Sequence, residues 1–279
     1  ELKYYAINLF KDLYNFNLKT SNLSAVLDLE FERLDFAYSY SKNELKDSLF
    51  LETLNYLQTE FKNSKRVAEV KHRIALYYYN KSSAYVPLQS DLYKDFKQKA
   101  HQICTEITKE YPNTRGAQLA FNTINTITSK ALKLTSEQTN DVNLPNRVLV
   151  NYTNINKLYF KIVKTDYFAH SKLTAKTYGE KLFEKLHTLP EALKFTQSLP
   201  DDKDFNNHSV EIKIPVLEPG YYILLASTDE KFEYNNAINS YQTYIVTDIA
   251  TTYNRKKEGG IEFFVLNRTS GEPLENASI

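Results

Sequence analysis

The first half of the chain repeats apolar residues at the three- and four-residue spacing of an amphipathic α-helix. From residue 92 to residue 111 this spacing places a full stripe on one helix face. Ser90 and Asp91 are expected to cap this helix, and Pro112 ends it because proline lacks a backbone N–H. After a turn at residues 112–114, a second stripe predicts a partner helix and therefore a helical hairpin. The two stripes are Leu92, Phe96, Ala100, Ile103, Ile107 and Tyr111, and Ala117, Ala120, Ile124, Ile127 and Ala131.

The same pattern occurs upstream, where residues 45–61 and 67–78 predict another hairpin and residues 2–14 and 23–37 predict two further helices. About six helices are therefore expected in an N-terminal helical domain over residues 1–140. The stretch KEYPNTRGAQLAF resembles the helix junction of tetratricopeptide (TPR) repeats. Hairpins of this kind stack because none buries its apolar face alone, which favours a TPR-like helical repeat. An irregular helical bundle is the alternative.

Beyond residue 146 the pattern changes to alternation of apolar and polar residues, which is typical of half-buried β-strands. Short strands separated by turns favour an antiparallel β-sandwich over residues 146–247. Helical spacing near residues 176–186 predicts a helical insertion in it. The strands on either side of the loop 215–220 are expected to pair. The chain is thus predicted to be a multidomain α plus β protein.

A second β-domain is expected to begin at residue 248 and to continue to residue 279. Glu258-Gly259-Gly260 joins two alternating segments, so it predicts a hairpin turn. The chain stops at Ile279 inside a predicted strand, and we expect the strands that complete this domain to lie in a larger parent protein. Any reactive centre of the parent is expected beyond Ile279.

The charge balance argues against nucleic acid as a partner. The chain has 35 basic and 34 acidic residues, interleaved along its length, whereas nucleic-acid binding requires a concentrated basic face. Apolar runs such as Tyr221–Ala226 are far shorter than the roughly 20 residues of a membrane-spanning helix. Direct membrane insertion is therefore not expected.

Side chains able to perform chemistry are present, but their spacing predicts no catalytic, cofactor-binding or metal site. Cys104 is the only cysteine, so an internal disulfide is excluded, and its position on a helix favours a buried hydrophobic role. The acidic pairs Asp201–Asp202 and Glu30–Glu32 are interpreted as solvated charges, and Gly259–Gly260 lacks the pattern of a phosphate-binding loop. The histidines lack the spacing of zinc ligands; they are His72, His101, His170, His187 and His208.

Two further clusters leave alternatives open. Tyr77-Tyr78-Tyr79, followed by Tyr85, forms either part of the core on two helix faces or an aromatic surface for a ligand or partner. The basic runs Lys62–Arg66 and Lys256–Lys257 are balanced by nearby acids, so a solvated surface is the expected role.

Three stretches, in this order, resemble the N-terminal part of bacterial (Bacteroidetes-type) alpha-2-macroglobulin family proteins. They are VLVNYTNINKLYFKIVKTD at 148–166, HSVEIKIPVLEPGYYILLASTD at 208–229 and FFVLNRTSGEPLENASI at 263–279. The resemblance implies that the first two belong to a macroglobulin-like sandwich, the second as a hairpin. It implies that the third opens the next sandwich through a turn at residues 269–273, and that a helical region precedes both.

Members of that family are implied to inhibit or trap proteases at the cell envelope, through a bait region and often a thioester formed by Cys-x-Glu-Gln. Cys104-Thr105-Glu106-Ile107 has Ile where Gln is required, so it is not such a motif. The resemblance therefore implies a non-enzymatic scaffold or interaction part of a periplasmic or envelope protein, with proteases or an envelope protein as partners. A lipid anchor, where such a protein has one, would lie on a preceding N-terminus. The alternative is a helical-repeat adaptor that binds a peptide or protein, with the β-domain as spacer or anchor. An enzyme would instead need convergent ionisable side chains in a cleft.

Overall fold

The structure is a computed structural model that describes residues 2–142, 144–234 and 237–277. The chain forms two compact units, Glu1–Thr128 and Ser129–Ile279. The first is helical and the second consists mainly of β-strands, so the chain is an α plus β protein, as the change of periodicity predicts.

The helical unit contains six α-helices over residues 2–128, in the places where apolar periodicity predicts them. Neighbours in sequence pack as pairs, α1 with α2, α3 with α4 and α5 with α6. A 3-10 turn at Ser82–Ala84 follows α4. The helices are α1 (Leu2–Lys19), α2 (Leu23–Tyr40), α3 (Lys46–Glu60), α4 (Val67–Lys81), α5 (Phe96–Glu110) and α6 (Arg115–Thr128).

Helices α1 and α2 extend beyond the predicted residues 14 and 37, to Lys19 and Tyr40, and the predicted start of α5 and end of α6 are wrong. Helix α5 begins at Phe96 rather than Leu92, because Tyr93 adopts a left-handed backbone conformation with φ 68° that interrupts a right-handed helix. The Ser90 hydroxyl still accepts a hydrogen bond from the Leu92 backbone N–H, 3.0 Å away, but it caps a loop. Helix α6 ends at Thr128, and Ala131 instead starts a strand that pairs with Thr153.

Helix α4 is central to the helical unit, since it contributes side chains to each of its three hydrophobic clusters. Ala68 and Ala75 pack with α5 and α6, Val70 packs with α2 and α3, and Ile74 packs with Leu34 and Leu54. Small residues allow α4 and α6 to approach closely. Helix α4 thus joins α2, α3, α5 and α6, whereas α1 packs on α2.

Over its described residues, the second unit contains two larger sheets and one hairpin. One sheet has the strand order β1-β3-β6, the other β2-β8-β7-β4-β5, and β9 pairs with β10. All pairs are antiparallel except the short parallel pair of β2 with β8. The strands are β1 (Ala131–Ser136), β2 (Thr139–Asn140), β3 (Asn146–Thr153), β4 (Lys157–Thr165), β5 (Glu191–Ser198), β6 (His208–Ile214), β7 (Gly220–Ser227), β8 (Asn239–Val246), β9 (Ile249–Arg255) and β10 (Ile261–Asn267).

The two larger sheets share one hydrophobic core. Alternate residues of β3 and β6, such as Val150 and Ile212, pack with alternate residues of β4 and β7, such as Phe160 and Leu224. The expectation that β6 pairs with β7 is therefore wrong, since β6 pairs with β3 and β7 with β4 and β8. Both strands present apolar residues to the same core from opposite sheets, and alternation alone does not distinguish facing strands from neighbouring ones.

The helical insertion predicted near residues 176–186 is α8 (Gly179–His187), and a second helix that was not predicted, α7 (Tyr167–Thr174), precedes it. Leu182, Phe183 and Leu186 of α8 pack on the outer face of the five-stranded sheet, against Ile223 and Leu225 of β7. Strand β7 is therefore buried on both faces, which explains its unbroken apolar run.

The turn at Gly259–Gly260 forms the predicted hairpin between β9 and β10. Both glycines have positive φ, 88° and 96°, which residues with a side chain rarely adopt. The next turn is built on Asn267, whose side-chain oxygen accepts backbone N–H groups of Thr269 and Ser270 at 3.0 and 2.9 Å. The strand predicted at the end of the chain runs into Ser278 and Ile279, which lie outside the described residues. The bounds 1–140, 146–247 and 248–279 remain predictions.

Candidate functional site: a groove in the helical unit

A groove of about 730 Å³ opens along α2 and α4 and reaches the first turns of α6; we call it the α2–α4 groove. Its size lies within the roughly 300–1,000 Å³ of typical ligand pockets. Residues at spacings of three and four on α2 and α4 face each other across it. The lining residues are Asp28, Phe31, Glu32, Asp35, Tyr38, Phe50, Glu69, His72, Arg73, Leu76, Tyr77, Asn80, Lys81, Arg115 and Leu119.

Arg66 joins the two walls at one end of the groove. Its guanidinium donates to both carboxylate oxygens of Glu69, at 2.9 and 3.0 Å, and to Asp28 on α2 at 2.5 Å. It also donates to Ser24. Hydrogen bonds from Arg66 hold the pKa of Asp28 below its ordinary value. Arg66 is thus a structural clamp, and its prediction as part of a solvated basic run is wrong.

A second clamp lies near the middle of the groove. Arg73 on α4 donates to Asp35 on α2 at 2.6 Å, and its guanidinium lies 4.2 Å from the centre of the Phe31 ring. Phe31 is itself buried. The cation therefore covers part of the apolar floor while its charge is neutralised by the opposite wall.

An aromatic end closes the groove beyond Arg73. The Tyr38 hydroxyl and the Lys81 ammonium both donate to Asp47, each at 2.6 Å, and these bonds lower the pKa of Asp47. Tyr77 stacks on Phe50 with ring centres 6.0 Å apart. This end offers aromatic surface around a neutralised ion pair.

The members of the tyrosine cluster lie in different surroundings. Tyr77 lines the groove, whereas Tyr78 packs edge-on against Phe96, 5.1 Å between ring centres, and against the cluster around Ile74. Tyr85 follows the 3-10 turn and donates its backbone N–H to Ser82. Adjacent residues on a helix point about 100° apart, which places neighbours on different faces.

His72 lies in the wall between α4 and α6 and is almost fully buried. Its Nε2 atom lies 3.0 Å from the Thr123 hydroxyl. Burial lowers the pKa of His72 to about 4, with a smaller contribution from neighbouring Arg73. At neutral pH the ring is uncharged and serves packing between the two helices.

Cys104 is buried on α5 among Ala68, Ile107 and Ala120. Burial in these apolar surroundings raises the pKa of the thiol to about 12, so at neutral pH it is protonated and a poor nucleophile. No thioester geometry surrounds it within the described residues.

The other histidines occupy separate places. His170 Nδ1 lies 2.8 Å from the Tyr221 hydroxyl, and the His187 carbonyl accepts a hydrogen bond from Lys161. Burial lowers the pKa values of His101 and His170.

Asp202, Asp204 and His208 form a group that the sequence analysis did not identify. Their ligand atoms all lie within 4.8 Å of one another, a distance compatible with a metal ion. The buried Asp204 carboxylate, however, already accepts hydrogen bonds from Asn206, at 2.9 Å from both its backbone and side-chain nitrogens, and from His208 at 2.8 Å. This arrangement orders the loop before β6, so the loop has a structural explanation without a metal. Its only sequence signal is the four-residue spacing of Asp204 and His208.

In the part of the chain that the structure describes, no helix has the length and apolar character to cross a bilayer. Lys256 in the hairpin pairs with Glu262 at 3.4 Å, a contact between exposed side chains.

No protein-family model matches this chain, and a search of curated proteins found no significant match. Among solved structures, the chain is similar to native alpha-2-macroglobulin from Escherichia coli, in a crystal structure spanning domains NIE to MG1. The similarity has 12% sequence identity and a TM-score of 0.35, and it covers 51% of this chain and 73% of that chain. A likeness of this size is distant, and it identifies no family for this protein.

Proposed function

We propose that this chain is a non-catalytic interaction part of an alpha-2-macroglobulin-like protein of the cell envelope. In this proposal the helical unit binds a segment of a protein partner in the α2–α4 groove, and the strand-rich unit is a macroglobulin-like sandwich that spaces it from further domains. Protease inhibition belongs to the parent protein, and a periplasmic or lipid-anchored location is part of the same proposal.

The groove is the observation that supports binding. It combines a partly covered apolar floor with polar groups on two walls, and clamps at Arg66 and Arg73 fix the spacing of α2 and α4 before any partner arrives. A preformed site lowers the entropy cost of association. Its ion-paired residues are arranged to support structure rather than to activate a nucleophile.

The macroglobulin part of the proposal is supported by where the resembling stretches lie. Residues 148–166 span β3 and β4, residues 208–229 span β6 and β7, and the described part of 263–279 begins in β10. The first two stretches thus supply strands to both sheets around one core. These positions support the proposal of a macroglobulin-like sandwich, although β6 and β7 do not form the hairpin that the resemblance implies.

Binding is tested with the full 279-residue chain on an array of immobilised dodecapeptides. Leu119→Glu places a charge in the groove, and Phe121→Glu places the same charge on the same helix at an exposed position outside it. We expect Leu119→Glu to abolish binding and Phe121→Glu to retain it, with thermal unfolding confirming that both variants fold. Equal binding by the two variants, or no peptide bound by the wild type, would refute the proposal.

The alternative is a helical-repeat adaptor unrelated to protease control, and the groove supports it equally. A protease assay distinguishes the macroglobulin proposal from the adaptor alternative. Trypsin is mixed with the protein to which this chain belongs, and the remaining rate of casein hydrolysis is measured. Inhibition supports the macroglobulin proposal, and full residual activity favours the adaptor.

A further inference from the structure

We propose that the α2–α4 groove selects a peptide segment with one basic and one acidic side chain separated by apolar residues, the basic one at Glu32 and the acidic one at Arg115. This inference rests on the proposed function, because it assumes that the groove binds a protein segment. It adds the chemistry of the partner, which follows from the charged side chains of the groove that no close ion pair within the protein neutralises.

The α2 wall offers one available carboxylate. Asp28 is bound by Arg66 and Asp35 by Arg73, each through a short ion pair. Glu32 lies between them on the same helix face, is exposed, and forms no ion pair with any residue that the structure describes. A cationic side chain entering the groove therefore meets Glu32 without displacing an existing partner.

The opposite side offers one available cation. Lys81 is bound to Asp47 and Arg73 to Asp35, whereas the Arg115 side chain at the start of α6 is 75% exposed. Its nearest acid is Glu69 at 3.8 Å, a carboxylate that already accepts two hydrogen bonds from Arg66. An incoming carboxylate gains a bidentate guanidinium partner at Arg115.

Apolar surface connects the two charges. Phe31 on α2, Leu76 on α4 and Leu119 on α6 line the groove between its walls. Helix α4 packs on α6 through Ala68 and His72 and is joined to α2 by its ion pairs, and Glu32 of α2 and Arg115 of α6 both line the groove. The complementary ligand therefore carries opposite charges on either side of an apolar stretch.

The test uses four dodecapeptides with about four central apolar residues flanked by Lys and Glu, Glu and Lys, two Lys, or two Glu. Fluorescence anisotropy with the full chain measures their affinities at low and high salt. We expect the wild type to bind both mixed peptides at least tenfold more tightly than either like-charged peptide, with a smaller difference at high salt because exposed charges are screened.

Charge reversal gives the sharper result. Glu32→Lys is expected to shift the preference to the two-Glu peptide, and Arg115→Glu to the two-Lys peptide. The double variant Glu32→Lys/Arg115→Glu again presents opposite charges, so it should recover binding of the mixed peptides. Both positions are exposed, and thermal unfolding verifies that each variant folds.

The outcomes separate this inference from the proposed function. Binding that depends on Leu119 but ignores peptide charge, or reversal variants with unchanged preference, overturns the inference and leaves groove binding intact. Failure of all four peptides overturns the inference, and failure of the dodecapeptide array as well overturns the proposed function.

Discussion

Gly116 of α6 lies directly against the backbone of Ala68 in α4. A Cβ atom built on Gly116 would be 2.5 Å from the Ala68 Cβ and 2.7 Å from its carbonyl oxygen, well inside van der Waals contact. The two helices are therefore as close as a residue without a side chain permits, and the chain neighbours Arg115 and Glu69 line the α2–α4 groove.

Gly116→Ala should destabilise the helical unit, although alanine is the better helix former by roughly 1 kcal/mol. The added methyl group meets backbone that has no room to move, and overpacking of this kind costs about 1–3 kcal/mol. Urea unfolding followed by circular dichroism measures the change. Gln118→Ala, on the exposed side of the same helix, is the control, and equal stability of the two variants would contradict the close approach.

Arg66→Ala should cost about 1–3 kcal/mol, since it removes charge-assisted hydrogen bonds to Asp28 and Glu69 and leaves the partly buried Glu69 carboxylate without its main partner. The midpoint of urea unfolding measures the loss. Lys65→Ala removes the adjacent exposed charge and should change stability by less than about 0.5 kcal/mol. Similar changes in stability for Arg66→Ala and Lys65→Ala would show that Arg66 is a solvated surface charge.

Stability should fall as the pH is lowered from about 6.5 to about 4, because of His72. The pKa of His72 is lower in the folded protein than in the unfolded chain, so the unfolded chain binds a proton first as the pH falls. Proton binding to the unfolded chain favours unfolding, so the free energy of unfolding is unaffected by His72 only above its ordinary pKa of 6.5. The full shift corresponds to about 3 kcal/mol. His72→Gln should show a shallower loss over this range, as measured by urea unfolding at a series of pH values. Parallel pH profiles of the variant and the wild type would argue against a buried neutral His72.

Phe183→Ala should cost about 3–5 kcal/mol, because this side chain is 2% exposed between α8 and the five-stranded sheet. Phe168→Ala, in the neighbouring helix α7, removes the same ring from a position that is 80% exposed and should be nearly neutral. Guanidinium unfolding compares them. A neutral Phe183→Ala would show that α8 does not cover the sheet.

Asp204→Ala should cost about 1–3 kcal/mol because it removes the buried acceptor of hydrogen bonds from Asn206 and His208, whereas Asp202→Ala at an exposed position should not. Burial alone would raise the pKa of Asp204, but hydrogen bonds from Asn206 and His208 outweigh it and lower the pKa. Its contribution is therefore present above the ordinary value of 3.8 and is lost as the pH falls below it. Thermal unfolding at pH 7 and pH 3 measures both effects. The stability difference between wild type and Asp204→Ala should be smaller at pH 3, and an equal difference at the two pH values would contradict a lowered pKa of Asp204.

The helices and most strands were predictable because each is encoded by a local period. Helix α4 and strand β3 follow directly from the spacing of Val67, Val70 and Ile74 and of Val148, Val150 and Tyr152. The start of α5 was missed because the left-handed conformation of Tyr93 leaves no signal in the apolar pattern. Strand β5 was missed because only Leu193 and Phe195 supply apolar residues at its alternating positions.

The sequence by itself determined the change from helix to strand, the Gly259–Gly260 hairpin and the apolar face of each element, since these depend on neighbours within a few residues. Only the tertiary structure decided that β6 and β7 belong to opposite sheets, that α8 covers β7, and that Glu32 and Arg115 border one groove. These relationships join residues far apart in the chain. Periodicity predicts which face of a helix or strand is buried. Which other element packs against that face depends on contacts across the whole unit.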